Sequence, residues 1–461
     1  MLERHAAYQV RSELRETPSR ACLALACAQD AEPDAAREAP AAAPVFLEAE
    51  ARAPEVTAKA LRAVSEIVAA RFYVPPAMLA RILREADPVA TVSPGAVRFE
   101  GFSACCSAYI RHDMGDGALD ARTRRHGTTN VDFGPDLRAA LARVRRDSAL
   151  SLTIGAEGVG IAHETAAVHE EKVPLPLRWI KGFGEVQVHL RRMRRAATVP
   201  RIGAQRFLRA QPRSKTDHQQ WITATGPTLR AAARPSPGAI PLRGGHRLRV
   251  LEPLMPFAEG MEIWLDEATG STAWVLDLGA QRLTLALNAE PWRGFSGDGG
   301  LLSALAAESD GEKGPNRGVA ALRAQLHWQD RLSLSDLAAS TGLSENVLDR
   351  ALAITASEGL VGFDLATGAY FHRVLPFRLD RIERRNPRLK AARGLFEAGA
   401  VSFEGDTAKV ASDGVVHELR VVDGLLTCTC PWYAKHKLSR GPCKHALAVE
   451  MAMEDGDGGR A

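Results

Sequence analysis

The sequence predicts an α+β multidomain protein. Three observations carry that prediction: a block of strand-like runs broken by single helices, a stretch after residue 318 in which three helices precede a hairpin, and a closing set of cysteines and one histidine at short fixed gaps. At 461 residues the chain is too long for one ordinary domain and long enough to bury two or three cores. The expected parts are a flexible N-terminal segment at 1–54, a mixed α/β domain at 55–215, a strand-rich region with loops at 216–317, a helix-and-hairpin module at 318–375 and a metal-binding module at 395–455.

Residues 29–54 are rich in Ala, Pro and Glu without an apolar period, which is the composition of a flexible linker. A helix follows, with Val56, Leu61, Val64, Ile67 and Val68 at helical spacing, and Pro75-Pro76 ends it. Strand-like runs come next at 96–99, 105–110, 150–154, 159–162 and 185–190, and the turn Phe133-Gly134-Pro135 sets one helix over 135–145. Pro212, Pro227, Pro235, Pro237, Pro241 and Gly244-Gly245 make 211–245 read as a linker or long loop. Strands at 247–251, 261–265, 272–278 and 283–288 follow in hairpin-like succession, before a Gly- and acid-rich loop at 293–317.

The pattern then sharpens. An amphipathic helix covers 319–328, a short strand 332–334, and a second helix opens at Asp336 and closes at Gly342. Ser344 caps a third helix that stops at Gly359, and 360–363 with 369–373 form a hairpin. This order is that of a winged helix. A recognition helix needs basic and amide side chains on its exposed face, whereas the third helix offers Glu345, Asn346, Asp349, Arg350, Thr355 and Glu358. Three acids against one arginine favour packing or protein contact over base reading, although Arg378, Arg381, Arg384, Arg385, Arg388, Lys390 and Arg393 supply charge just beyond.

Cys428, Cys430, Cys443 and His445 are the four-ligand set of a closed structural zinc site. The first pair ends a strand expected over 415–427, Pro431 breaks the ladder, and Pro442 opens an apolar helix over 446–453 whose N-terminus keeps Cys443 ionised. Three thiolates and a neutral imidazole around Zn²⁺ leave one net negative charge, which Lys435, Lys437, Arg440 and Lys444 are placed to offset. His436 is a competing nitrogen ligand in the middle of the intervening loop, and Cys-x-His is the better pair.

Cys-x-Cys, twelve residues from Pro431 to Pro442, then Cys-x-His resembles the SWIM zinc finger, and the run Cys430-Pro-Trp-Tyr-Ala-Lys-His436 is similar to its bacterial members. Gly101-Phe-Ser-Ala-Cys-Cys, Gly127-Thr-Thr-Asn-Val-Asp-Phe, Glu171-Lys-Val-Pro-Leu-Pro-Leu-Arg-Trp and Gly368-Ala-Tyr-Phe-His-Arg extend the likeness over most of 75–450. The resemblance implies a MoxR-class AAA ATPase and a von Willebrand A-domain protein as partners, and DNA or protein binding as the role.

The net charge of +4 decides nothing about nucleic acid, but its distribution does more. Arg191, Arg192, Arg194, Arg195, Arg201, Arg206, Arg209, Arg213 and Lys215 fall in one stretch without a carboxylate, which attracts phosphate or an acidic partner. Eight apolar residues at 21–28 are too few for a membrane span, and an odd number of cysteines argues against a disulfide framework, so the expected compartment is the cytoplasm. Cys105 or Cys106 with His126, Asp132 or His163 would be a nucleophile and its base, but no spacing links them and the run is apolar. The expectation is a non-enzymatic adaptor for protein partners, with nucleic-acid binding through the basic stretch and zinc module as the alternative.

Overall fold

In the computed structural model, apolar alternation and hairpin turns build several largely antiparallel sheets, with helices between and against them. The structure describes residues 6–8, 13–17, 20–24, 45–70, 88–130, 133, 138–139, 141–155, 170–172, 177–216, 218–292, 294–295, 315–375, 387–405, 407–422, 425–437 and 442–457. They divide into two units, the first holding 1–176, 192–294 and 373–376, the second 177–191, 295–372 and 377–461.

The first unit is organised by an eight-stranded antiparallel sheet. Its strand order is Arg194–Pro200, Gly260–Asp266, Ser271–Asp277, Gln281–Leu287, Ala108–Gly115, Ala96–Phe102, Val89–Val92 and Gly127–Asn130. The join between two sequence-distant hairpin sets is the pairing of Ile110 with Leu285. The helix Pro54–Ala69 buries Val56, Leu61, Val64, Ile67 and Val68, the residues its period selects, against this sheet and the 3₁₀ run Gly245–Phe257. The helix Arg201–Ala210 lies on the same 3₁₀ run, and its Phe207 stacks on Trp274 of the sheet at 5.5 Å.

Several expectations are corrected here. The segment 1–54 is not simply flexible: Glu13–Thr17, Arg20–Ala24 and Val45–Ala51 join a five-stranded sheet, because Leu47 and Ala49 alternate inward against Leu150–Gly155. Residues 211–245 are not a linker. They form a three-stranded sheet of Gln219–Thr225, Thr228–Ala232 and Ile240–Arg243, in which Pro241 sits on an edge strand where a missing amide is tolerated. The run 247–251 belongs to the 3₁₀ segment, and 185–190 lies inside the helix Leu177–Arg192. The run 159–162, residues 135–137 and 140 of the helix expected over 135–145, and most of 293–317 lie outside the described residues.

Charge is buried in the first unit. Glu100, fully buried, pairs with Arg373 and accepts a hydrogen bond from Tyr109; burial opposes its ionisation, but Arg373 and Arg111 outweigh that and hold its carboxyl below the usual range.

In the second unit, the helices Pro315–Ala324, Leu334–Thr341 and Glu345–Ser357 precede the hairpin Val361–Asp364 and Ala369–His372. Ser333 caps the second helix by accepting from the Asp336 amide at 3.1 Å, and Gly342, at φ +68°, ends it. The first helix stops earlier than its apolar pattern suggests, since Trp328 adopts φ +61° and its amide donates to His372 Nδ1. On the third helix Asn346 and Arg350 are exposed as expected, but Thr355 and Glu358 are buried, the latter paired with Arg323. No helix among the described residues is long and apolar enough to cross a membrane.

Candidate metal centre

The C-terminal module is a four-stranded antiparallel sheet in the order Val401–Glu404, Thr407–Ser412, Val415–Val422 and Leu425–Cys428, closed by the helices Pro387–Glu397, Pro431–His436 and Lys444–Asp457. The single strand expected over 415–427 is therefore two. The register sets Ala408, Leu419 and Cys428 in one row across the sheet, and this face packs on Ala446 and Val449 of the last helix. The opposite face carries Lys409, Glu418 and Arg420 and faces water.

Each expected ligand is delivered by the end of an element. Cys428 closes the last strand. Cys430 is the N-cap of Pro431–His436, its Sγ accepting from the Tyr433 amide at 3.3 Å. Cys443 plays the same part for Lys444–Asp457, its Sγ accepting from the Ala446 amide at 3.4 Å. Two helix N-termini thus direct amides and dipole at the sulfurs, which is favourable to thiolate. His445 follows in the first turn, and its Nδ1 faces Cys428 Sγ at 3.8 Å. The four donor atoms lie within 4.8 Å of one another and all four residues are buried.

Bond lengths of roughly 2.3 Å to sulfur and 2.0 Å to nitrogen place tetrahedral zinc ligands about 3.5–3.8 Å apart. The cluster needs only a small contraction to reach that spacing, and three soft sulfurs with one imidazole suit zinc. His436 is elsewhere, its ring 4.6 Å from Trp432.

Without metal the three thiols share charge unequally. The hydrogen bond from Cys428 draws Cys443 down to about 4, while the same bond and burial push Cys428 up, and burial pushes Cys430 up. One thiolate is stable among three sulfurs at this spacing; a divalent cation relieves the repulsion, and binding it releases the other two protons.

Of the offsetting cations, Lys444 pairs with Asp413 at 2.8 Å, Lys435 and Lys437 are exposed, and Arg440 lies outside the described residues. Arg388 sits over the Trp432 ring at 4.7 Å and donates to the Pro442 carbonyl, tying the first helix of the module to the ligand loop. His417 was not foreseen. Its ring lies tilted by 36° against that of His445 with centroids 4.2 Å apart, and its alternation with Leu419 on the inner face is the sequence signal that would have found it.

The other candidates do not converge on a site. Cys105 is buried in the turn between two strands, its Sγ 2.9 Å from Ser107 Oγ, while His126 is exposed and Asp132 and His163 lie outside the described residues. Of the basic stretch, Arg191 pairs with Asp349, Arg192 with Asp266, Arg195 with Glu262 and Arg209 with Glu252.

Compared with known proteins, residues 418–453 match the SWIM zinc finger family. No curated protein matches the chain. Among solved structures, the chain is similar to the proliferating cellular nuclear antigen of Entamoeba histolytica, at 9% identity and a TM-score of 0.33, over 53% of this chain and 99% of that one. It is likewise similar to the PCNA2-PCNA3 complex of Sulfolobus tokodaii, at 7% identity and a TM-score of 0.34, over 52% of this chain and 98% of that one.

Proposed function

We propose that this protein is a non-enzymatic zinc-binding adaptor whose C-terminal module, folded around the metal, presents a surface to protein partners. Closure is the observation that carries the reading: Cys428, Cys430, Cys443 and His445 are all buried with their donor atoms within 4.8 Å, so four protein ligands fill the coordination shell and leave no position for a substrate. The metal supplies a crosslink between strand end and helix starts in a module whose own core is small. Its sheet exposes Val416 and Val422 on the outer face and Phe403, Val415 and Val421 at uncovered positions of the inner one, apolar side chains that a protein interface would cover.

The helix-and-hairpin module in the same unit is read as a winged helix used for packing or protein contact, since Glu345 and Asp349 would face phosphates unfavourably. A MoxR-class AAA ATPase and a von Willebrand A-domain protein are the partners suggested by the family resemblance. The nucleic-acid alternative draws less support, because four arginines of the basic stretch already meet carboxylates.

Copurification of the full chain from native cells, with bound proteins and nucleic acid identified, tests the proposal when repeated with Cys430→Ala. A defined protein set that is lost in the variant supports it. Recovery of nucleic acid alone, or the same proteins with the variant, overturns it.

A further inference from the structure

The start of the helix Arg201–Ala210 and the turn between the strands Gln219–Thr225 and Thr228–Ala232 border a groove of about 620 Å³ in the first unit. Its floor is apolar, made by Pro200, Ile202 and Pro227. Ile202 is 66% exposed, the highest value among the exposed large apolar side chains of the described residues. The walls are fixed by backbone packing: a Cβ on Gly203 would lie 1.9 Å from the Pro227 carbonyl oxygen, so the helix and turn meet as closely as glycine permits.

The rim is cationic. Arg201 donates through Nε to the Ala258 carbonyl at 2.6 Å, which holds its guanidinium at the groove. Arg206 lies one turn beyond Ile202 on the same helix face, is exposed and has no ion-pair partner among the described residues. It therefore differs from Arg195 and Arg209, whose charges are met by Glu262 and Glu252. Pro200 offers the helix start no side-chain acceptor, and although the Arg201 amide donates to the Glu259 carbonyl at 2.9 Å, the helix dipole still adds positive potential there. Glu259 is the sole carboxylate among the lining residues.

We propose that this groove docks a segment of a partner protein in which an apolar side chain is flanked by carboxylates. The apolar group covers Ile202 and the two prolines, while a carboxylate meets Arg206 and the helix start. Charge spacing selects a peptide over nucleic acid. A phosphodiester backbone carries negative charge at every step and would run against Glu259, whereas a peptide can set a neutral residue there. The apolar floor, too, gains nothing from phosphate. The groove is in a different unit from the cysteine cluster, so the inference stands apart from the zinc reading.

The test pans a random phage-displayed peptide library against the full chain at physiological salt. Enriched peptides are then synthesised with a fluorophore and titrated by anisotropy against wild type, Ile202→Asp and Arg206→Glu. Both positions are exposed, and circular dichroism checks that each variant folds. The expected result is a consensus of Leu, Ile or Phe flanked by Asp or Glu, with affinity falling about tenfold or more in each variant, as for a central anchor of an interface. No enrichment, a basic or uncharged consensus, or peptides that bind both variants as well as wild type would overturn the proposal. So would self-association of the chain abolished by Ile202→Asp, which assigns the groove to a second copy, or displacement of the peptide by duplex DNA with salt-sensitive affinity, which assigns it to nucleic acid.

Discussion

Acid should loosen the first unit through His112. Its ring is fully buried between sheet and helix, stacks on Phe99, and places Nε2 2.9 Å from Gln281 Oε1, while Gln281 Nε2 donates to Thr57 on the covering helix at 2.9 Å. Burial lowers its pKa from 6.5 to about 4, the Gln281 hydrogen bond opposing the shift. The folded state therefore holds this group neutral over a range in which the unfolded chain would protonate it. Its contribution is fully present above pH 6.5, is lost as pH falls towards 4, and levels off below that. At about 1.36 kcal/mol per pH unit the loss amounts to about 3 kcal/mol, a large part of the roughly 5–15 kcal/mol that holds a domain together. His112→Gln removes the titrating ring and keeps an amide within reach of Gln281. Hydrogen exchange of amides in Ala108–Gly115 and Gln281–Leu287, followed from pH 7.5 to about 4 in both proteins, reads the opening free energy of this sheet locally. Wild type should begin more stable and the gap should close by about 3 kcal/mol across the range. Parallel profiles in the two proteins would refute the reasoning.

Three further outcomes are expected. His445→Ala or Cys430→Ala should abolish metal binding and expose residues 401–453 to proteolysis while the first unit keeps its protection, whereas His436→Ala should leave both unchanged; metal loss in His436→Ala instead would reassign the nitrogen ligand. Changing Arg191, Arg192, Arg194 and Arg195 together to Ala should cost under about 1 kcal/mol for each of the exposed pairs with Asp349 and Glu262 and leave duplex DNA titrations unchanged at low and physiological salt; a salt-sensitive affinity that disappears in the variant would restore the nucleic-acid reading. The double change Asn346→Ala with Arg350→Ala should preserve the fold and any DNA affinity, and a marked loss of sequence-specific binding would make the third helix a base reader.

The cluster of Cys428, Cys430, Cys443 and His445 was legible because its information is local: two one-residue gaps, a proline at or just before each helix start, and a strand that ends at Cys428. The helix Pro54–Ala69 and the helices between 315 and 357 were legible for the same reason, through the apolar period of each and, for Leu334–Thr341, the Ser333 cap and the Gly342 stop. Pairings between distant segments were not. Nothing near residue 110 announces that Ile110 lies beside Leu285, and the prolines of 211–245 disguise a sheet whose edge accommodates Pro241. The partners of the basic stretch were hidden in a similar way, since the acids that meet four of its arginines, Glu252, Glu262, Asp266 and Asp349, lie far along the chain. Composition reports charge, whereas only the fold reports which charges are already met.

The most direct test of the zinc reading is metal analysis of the purified full chain combined with X-ray absorption at the zinc edge. The account predicts about one zinc per chain, bound by three sulfurs and one nitrogen. It also predicts that occupancy declines in acid as protons reclaim Cys428 and Cys430. A protein without zinc, a shell of oxygen and nitrogen only, or full occupancy in His445→Ala would contradict it.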